Sequence, residues 1–173
     1  MDKKSEGYEY ADYYKGYVGL VPEGDIIQVL SDQMKETVGI ISMLNDEQLL
    51  YRYETGKWSI KEVIGHITDT ERIMSYRLLS IARGETTSLP GYDENAYVEE
   101  AGFDDLPVEE LLEHFVSVRL STIQLIKSLS KKALARKGTS NGYPVTTRAL
   151  MMIIAGHEIH HRNIITERYL SKN

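Results

Sequence analysis

Two histidines near the C-terminus, His157 and His161, stand four residues apart in a segment with the apolar pattern of a helix. Residues at positions i and i+4 lie on the same helical face, so these imidazoles can direct nitrogens at one metal ion. The apolar period of the segment, carried by Ile153, Ile154 and Ile164, includes both histidine positions. Two imidazoles that face the same interior are difficult to satisfy with ordinary hydrogen bonds. The spacing therefore predicts that the pair binds a cation.

The same run matches the His-Glu-x-x-His pattern of zinc proteases, in which Glu158 would be the general base. Proteases of that kind need a third ligand downstream, and in the extended form it is a histidine. The segment 162–173 contains no histidine, and its only side-chain carboxylate is Glu167. The pattern therefore disfavours a protease, and we expect the third ligand upstream.

The upstream candidate is His66, in a segment whose helix start is clearly marked. Ser59 and Glu62 form a capping box, so a helix begins at Ser59. Its apolar stripe continues to the stop signal at 83–84, an arginine followed by a glycine. His66 lies beside this stripe. Alone it would be read as a core or boundary residue, but two other core-facing histidines make it the expected third ligand.

Three motifs together resemble the DinB-like/YfiT-like superfamily over most of the chain. They are Gly-Lys-Trp-Ser-Ile-x-Glu-x-x-x-His at 56–66, Leu-Pro-Gly-Tyr-Asp-Glu at 89–94 and His-x-x-x-His at 157–161. In that family three histidines, one on the second helix and two on the fourth, bind a divalent metal inside a four-helix bundle. The resemblance implies that His66, His157 and His161 are the metal ligands of this chain.

The nearer resemblance, through the Tyr-Asp-Glu segment, is to YfiT-type members, some of which are thiol S-transferases that use bacillithiol. It implies a metal-dependent enzyme in which the ion activates the thiol of a small co-substrate for attack on an electrophile. The same ligands could instead serve a hydrolase that uses metal-bound hydroxide. A third alternative is a non-catalytic metal-binding or stress-response protein, whose ion only stabilises the bundle. Homodimers in the family favour a homodimer here.

The available ligand atoms restrict the metal only in part. The chain has no cysteine, so a metal must be bound through nitrogen or oxygen, and a catalytic thiol must come from a co-substrate. Imidazole suits several divalent metals; we expect zinc or nickel, with manganese or iron as alternatives. The remaining histidines, His114 and His160, each lie about 100° from a core-facing neighbour and are expected to be non-ligands.

Four further residues are candidates for catalytic or supporting roles near the metal. Asp69 could orient a histidine, since metal-bound imidazoles usually donate their other N–H to an acceptor, or it could equally be a solvated surface charge. Tyr92 and Asp93 lie in a long loop that could close over the metal, although Asp93 could equally form an Asx-type turn. Glu158 could contact His66 from the flank, but a surface salt bridge explains it more simply.

Four segments with helical apolar period predict an all-α fold, a four-helix bundle. Their starts lie near Gly24, Ser59, Leu106 and Thr146. The connection at 84–106 is too long for a tight turn, so the second and third helices can run parallel, as in an up-down-down-up bundle with a crossover. The connector 130–145 is rich in turn residues and can hold a short β-turn or hairpin.

The N-terminal segment is rich in tyrosine. Its tyrosines stand at positions 8, 10, 13, 14 and 17. Tyrosine buries apolar area and keeps one hydrogen bond, which suits an arm laid over the bundle or across a partner subunit. We therefore expect a single domain, 1–173, made of an arm (1–23) and a helical bundle (24–171).

The bulk composition excludes several classes of partner. A formal net charge of −6 disfavours nucleic acid, which binds through basic residues. The chain has no apolar run near the ~20 residues needed to cross a bilayer, and its start does not resemble a signal peptide. We expect a cytoplasmic protein with a small-molecule substrate and no membrane partner.

Overall fold

A computed structural model describes residues 9–171 of the chain. Within that range the helices are α1 (Lys15–Leu20), α2 (Ile26–Ile41), α3 (Asp46–Leu50), α4 (Ile60–Arg83), α5 (Glu94–Ala101), α6 (Val108–Lys127), α7 (Lys131–Leu134) and α8 (Thr147–Ile164). Short 3₁₀ helices lie at Asp12–Tyr14 and Phe103–Asp105, and a π-helix, Ile165–Leu170, continues α8. The strands are β1 (Lys137–Ser140) and β2 (Tyr143–Thr146). None of the helices in residues 9–171 has the length and apolar character of a membrane span.

The boundaries of α4 follow the signals in the sequence. The Ser59 hydroxyl accepts a hydrogen bond from the Glu62 amide at 3.0 Å, and the Glu62 carboxylate accepts one from the Ser59 amide at 2.7 Å. Gly84 ends the helix with a φ of 98°, a left-handed conformation that favours glycine. Local chemistry thus sets where this helix begins and ends, and therefore the helical turn on which His66 lies.

Two parallel helix pairs establish the order of the bundle. In each pair, successive contacts advance in the same direction along both helices. They join Glu71 to Arg119 and Ser75 to Thr122 across α4 and α6, and Gln33 to Ala155 and Thr37 to Glu158 across α2 and α8. The start of α4 lies beside the end of α8, so these two helices are antiparallel. The predicted up-down-down-up bundle with a crossover between its second and third helices is confirmed.

The apolar core has two parts. One contains the ends of α4 and α6 together with the starts of α2 and α8, and the other contains the opposite ends of the same helices. Buried polar residues lie between the two parts, including His66, Glu71, Arg119, His157 and Glu158. The middle of the bundle is therefore a polar layer, and buried polar groups there need partners within the protein or a ligand.

The crossover between α4 and α6 is ordered against the bundle and includes α5, which was not predicted. Leu89 donates its amide to the Thr139 carbonyl at 2.9 Å and accepts from the Asn141 amide at 3.0 Å. The Arg77 guanidinium donates to the Pro90 carbonyl at 2.6 Å. These bonds hold the crossover along α4, on the side of the bundle where Tyr92 can reach the middle of that helix.

The turn-rich connector contains a hairpin, as its composition suggested. β1 and β2 pair antiparallel, with Ser140 opposite Tyr143. Asn141 and Gly142 at the tip have φ values of 53° and 77°, as a two-residue type I′ turn requires.

The described part of the tyrosine-rich arm packs on its own chain. Tyr14 is buried, and α1 lies along α8. Gly156 permits this approach, because a Cβ at that position would overlap the backbone of Tyr17. Tyr8 lies outside the described residues. The alternative of a dimer contact through the arm stays a prediction.

Candidate metal centre

Three histidines converge in the polar layer, and we call them the histidine cluster: His66 of α4 with His157 and His161 of α8. One nitrogen of each lies within 4.8 Å of those of the other two. The Nε2 atoms of His66 and His157 are 3.1 Å apart. Two nitrogens bound to one zinc ion at about 2.0–2.1 Å in tetrahedral geometry would be roughly 3.3 Å apart. The donor type and the spacing therefore fit a single divalent ion.

A glycine precedes a histidine on each of the two helices and lets another element pack closely. At Gly65, before His66, a Cβ would overlap the ring of Phe103 from the crossover. At Gly156, before His157, it would overlap the arm. The crossover and the arm are thus brought to the two sides of the histidine cluster by positions without side chains.

Burial keeps the imidazoles neutral. His66 is 3% exposed and His157 is 8% exposed, whereas His161 is partly exposed. Burial lowers the pKa of His66 to about 4, and burial together with the neighbouring His66 and His160 lowers the pKa of His161 to about 3. Burial, reinforced by the other histidines, also takes the pKa of His157 well below its usual value. Neutral imidazoles have the free lone pairs that metal binding requires.

Aromatic rings surround the histidine cluster. The Trp58 ring centroid is 4.6 Å from that of His66 and 6.5 Å from that of His161. On the other side, the Tyr17 ring of the arm is 5.5 Å from the His157 ring. These rings limit the access of water to the imidazoles and strengthen electrostatic interactions among them.

Two hydroxyls, of Thr70 in α4 and of Tyr92 in the crossover, link the crossover to His66. The Thr70 hydroxyl lies 3.5 Å from the Nδ1 of His66 and is hydrogen-bonded to the Tyr92 hydroxyl. Thr70 stands one helical turn after His66 and so shares its face. The Asp69 carboxylate pairs with Arg72 at 2.7 Å, which matches the surface-charge alternative for this residue. Tyr92 does approach the site, through Thr70.

Two other candidates have structural roles. Asp93 is exposed and caps α5, accepting hydrogen bonds from the amides of Asn95 and Ala96 at 3.0 and 3.1 Å. Asp93 thus has its alternative predicted role, the Asx-type turn. Glu158 is 1% exposed and pairs with Arg119 at 2.7 Å, so it forms neither a surface salt bridge nor a contact with His66. The reason is angular: Glu158 projects about 100° from His157, towards α2 and α6.

A buried ionic group, which was not predicted from the sequence, lies beside the cluster, and we call it the arginine network: Glu71, Arg119 and Glu158. Arg119 is fully buried and lies 2.8 Å from Glu71 and 2.7 Å from Glu158, and it also donates to the Leu30 carbonyl at 2.9 Å. Burial alone would lower the pKa of Arg119, but the two carboxylates raise it above its usual value. The network joins all four bundle helices. Its signal in the sequence was a charged residue one turn after the core residue Phe115.

The other two histidines lie outside the cluster. His114 is exposed on α6. His160 is partly buried, and its ring is 5.3 Å from that of Tyr17. Neither belongs to the group of converging nitrogens found in residues 9–171.

A cavity of about 250 Å³, which we call the His161 cavity, opens beside the cluster. Its lining residues are Tyr53, Gly56, Lys57, Trp58, Val63, Asn95, His161, Ile164 and Tyr169. Through His161 the cavity provides a route by which a small molecule can reach the histidine nitrogens.

Two curated relatives align with most of the chain, both from Oceanobacillus iheyensis and both provisionally named metal-dependent hydrolases. One is 26% identical over 137 residues, which cover 78% of this chain and 76% of the relative. The other is 25% identical over 165 residues, which cover 94% of this chain and 95% of the relative.

A solved structure and a family model agree with these matches. YfiT from Bacillus subtilis, provisionally described as a metal-dependent hydrolase with an unusual four-helix bundle topology, superposes with a TM-score of 0.76. The superposition covers 82% of each chain at 22% identity, which shows a shared fold. The DinB superfamily model matches residues 30–165, a range that includes all three histidines of the cluster. This chain therefore belongs to the DinB superfamily.

Proposed function

We propose that His66, His157 and His161 hold one divalent cation, and that the chain is a metal-dependent enzyme acting on a small molecule. The observation that carries this proposal is the convergence of three neutral imidazole nitrogens within 4.8 Å beside an open cavity. The names of the two relatives support metal dependence. Zinc or nickel suits the ligands best, with manganese or iron as alternatives.

Three protein ligands leave a coordination position of a metal ion open. Structural zinc sites are usually closed by four protein ligands, whereas catalytic sites keep a position for water or substrate. When bound, the cation supplies Lewis acidity and lowers the pKa of a coordinated water or thiol. The protein contributes position: Thr70 and Tyr92 hold the Nδ1 side of His66, while Trp58 shields the rings from water.

The surroundings of the cavity favour a thiol over water as the nucleophile. Among residues 9–171, no carboxylate lines the His161 cavity, and Glu71 and Glu158 are both paired with Arg119. Hydrolysis benefits from a side chain that moves protons between water and the leaving group. A thiol has a pKa much closer to neutrality, so it depends less on such a group.

The proposed reaction is therefore transfer of a low-molecular-weight thiol of the bacillithiol type to an electrophile. The thiol proton is released to solvent, a sulfur–carbon bond forms, and the leaving group departs with its bonding electrons. The chain has no cysteine, so the sulfur comes from the co-substrate. The second candidate is hydrolysis with water as the nucleophile, which the names of the relatives favour.

Turnover by zinc-loaded protein distinguishes the two reactions. The protein is prepared without metal-affinity resin and assayed with a fluorogenic chloroalkyl electrophile, with and without thiol, and with a nitrophenyl ester without thiol. Thiol-dependent conjugation that His66→Ala abolishes and the exposed-histidine control His114→Ala retains would support S-transfer. Metal-dependent ester cleavage without thiol would support hydrolysis. Zinc-loaded protein with neither activity would contradict both.

The family resemblance also supports a homodimer, and the sequence composition supports a single domain in the cytoplasm. Sedimentation of the purified protein measures the association: a species of twice the chain mass at micromolar concentration supports the dimer, and a monomer contradicts it.

A further inference from the structure

We propose that the His161 cavity binds a small anionic molecule with a flat apolar body. Its anionic group would pair with Lys57, and its reactive end would reach the histidine cluster. This inference rests on the proposed function, because it names the chemical class of molecule that the same site takes.

Among residues 9–171, the His161 cavity gives an approach to the cluster from solvent. His66 and His157 are buried, whereas His161 is partly exposed and borders the cavity. A molecule that enters there meets His161 first. One end of the molecule is therefore placed beside the metal ligands while the other remains at the rim.

The cavity walls contain three flat, apolar aromatic rings, those of Tyr53, Trp58 and Tyr169. The Tyr169 hydroxyl donates to the Trp58 carbonyl at 2.7 Å, so its polar atom is satisfied and its ring is held in place. The Tyr53 ring packs edge-on against that of Tyr169, with centroids 4.8 Å apart. The volume of about 250 Å³ lies below the roughly 300–1,000 Å³ of drug-sized ligand sites. One ring with short substituents fits such a space.

Lys57 supplies the charge that selects an anion. It is exposed and forms no salt bridge with a carboxylate of residues 9–171. Its basic neighbours are already bound: Arg52 pairs with Glu62 and Asp104, and Lys61 donates to the Asp104 carbonyl at 2.8 Å. Lys57 is thus the cation beside the cavity that remains available to a ligand.

A second cavity shows that this charge pattern is local. A groove of about 500 Å³ at the start of α2 is lined by Glu23, Asp25, Asp32 and Glu36, and its one basic lining residue, Arg162, pairs with Glu36 at 2.8 Å. That groove would repel an anion. Of these two cavities in a chain of net charge −6, the His161 cavity, without a lining carboxylate and with an unpaired lysine among residues 9–171, is therefore the more favourable for an anion.

Binding of two matched probes to the zinc-loaded protein tests the inference without requiring turnover. The first probe, 4-mercaptobenzoate, carries a metal-binding thiol and a carboxylate at opposite ends of one ring. The second, 4-methylbenzenethiol, has a similar shape and no charge. We expect the carboxylate probe to bind about fivefold more tightly by calorimetry, the upper end for an exposed charge pair. The variant Lys57→Met should remove this advantage, and the exposed control Lys127→Met should keep it.

Substitution of an aromatic wall residue tests the contribution of the cavity walls separately from that of the charge. Tyr53→Ala should weaken both probes by a similar factor, about two- to tenfold, because it removes an aromatic packing partner. Equal affinities of the two probes, in the wild type and in Lys57→Met, would overturn the anionic class and leave the metal-dependent function intact. If neither probe bound to protein that holds one zinc per chain, both the inference and the open metal position required by the proposed function would be overturned.

Discussion

Adjacent residues of α8 belong to two different buried polar groups. His157 is part of the histidine cluster, and Glu158 is part of the arginine network. In the network, one guanidinium is bound to two carboxylates and a carbonyl. In the cluster, the imidazoles are neutral and their nitrogens face one another. The carboxylates of the network thus have their partners within the protein, whereas we propose that the nitrogens of the cluster bind a divalent cation.

We expect the largest loss of stability when the Arg119 guanidinium is removed from the arginine network. Arg119→Met removes the guanidinium that two buried carboxylates share, and we expect it to lower the free energy of unfolding by about 3–5 kcal/mol. Urea unfolding of metal-free protein measures this loss. The surface variant Arg72→Ala, which removes the partner of Asp69, should change it by less than about 1 kcal/mol. Equal effects of the two variants would show that the network is not a structural element.

Removing a histidine should affect metal binding more than folding. We expect His66→Ala to weaken zinc binding by at least about a hundredfold, since loss of an outer-shell partner alone typically costs about 10–100-fold. Zinc should raise the unfolding free energy of the wild type and not that of the variant, because a ligand stabilises only the state that binds it. Undiminished zinc stoichiometry and affinity in His66→Ala would remove this residue from the site.

A methyl group at Gly156 should disturb the arm beside the cluster and leave the network intact. Gly156→Ala places a Cβ against the Tyr17 backbone, and we expect a loss of about 1–3 kcal/mol, as for other overpacking substitutions. Gly39→Ala, on an open helical face, should instead stabilise by about 0.5–1 kcal/mol. Thermal unfolding of both variants measures these changes in stability. A gain of stability in both would mean that the arm does not pack closely on α8.

Acid should destabilise the metal-free protein through the histidine cluster. The pKa values of His66 and His161 are lowered to about 4 and about 3, so the unfolded chain binds more protons than the folded chain below about pH 6.5. Their contribution to stability is present above that pH and is lost as the pH falls towards those values. The urea concentration at the unfolding midpoint should therefore decrease as the pH is lowered from about 7 to 4. It should decrease less steeply in His66→Asn. An identical slope in the variant would contradict neutral burial of His66.

The smallest effect is expected at the hydroxyl that orients His66. Thr70→Val keeps the shape of the side chain and removes its contact with Nδ1 and with Tyr92. Because the contact to Nδ1 is long, we expect zinc affinity to fall by about three- to tenfold, less than the roughly 10–100-fold typical of a closely bound orienting partner. Competition with a chromophoric chelator measures the affinity. Asp69→Asn is the matched control and should leave it unchanged.

Much of the fold was predictable because its signals are local. The capping box at Ser59 and the glycine stop at Gly84 mark α4 within a few residues of sequence. The apolar periods mark the other long helices, and the length of the connection 84–106 indicates the crossover. Helix α5 was missed, because its own sequence is not strongly amphipathic and its position depends on packing against α4.

The structure agrees with only some of the predictions for residues around the cluster. Asp69 and Thr70 are neighbours, and only the helical face decides that Thr70 approaches His66. Glu158 was judged to be a surface residue, because one helix alone does not show what covers its flank. It is covered by α2 and α6, whose side chains Thr37 and Arg119 bind its carboxylate.

The sequence by itself determined the helices and the three histidines that share core-facing positions, since periodicity and capping act over a few residues. Only the tertiary structure decided that the nitrogens meet within 4.8 Å, that Arg119 joins four helices, and that a cavity opens at His161. The physical reason is that distances between helices depend on how whole faces pack. Contacts between residues such as His66 and His157, 91 positions apart, are set by that packing.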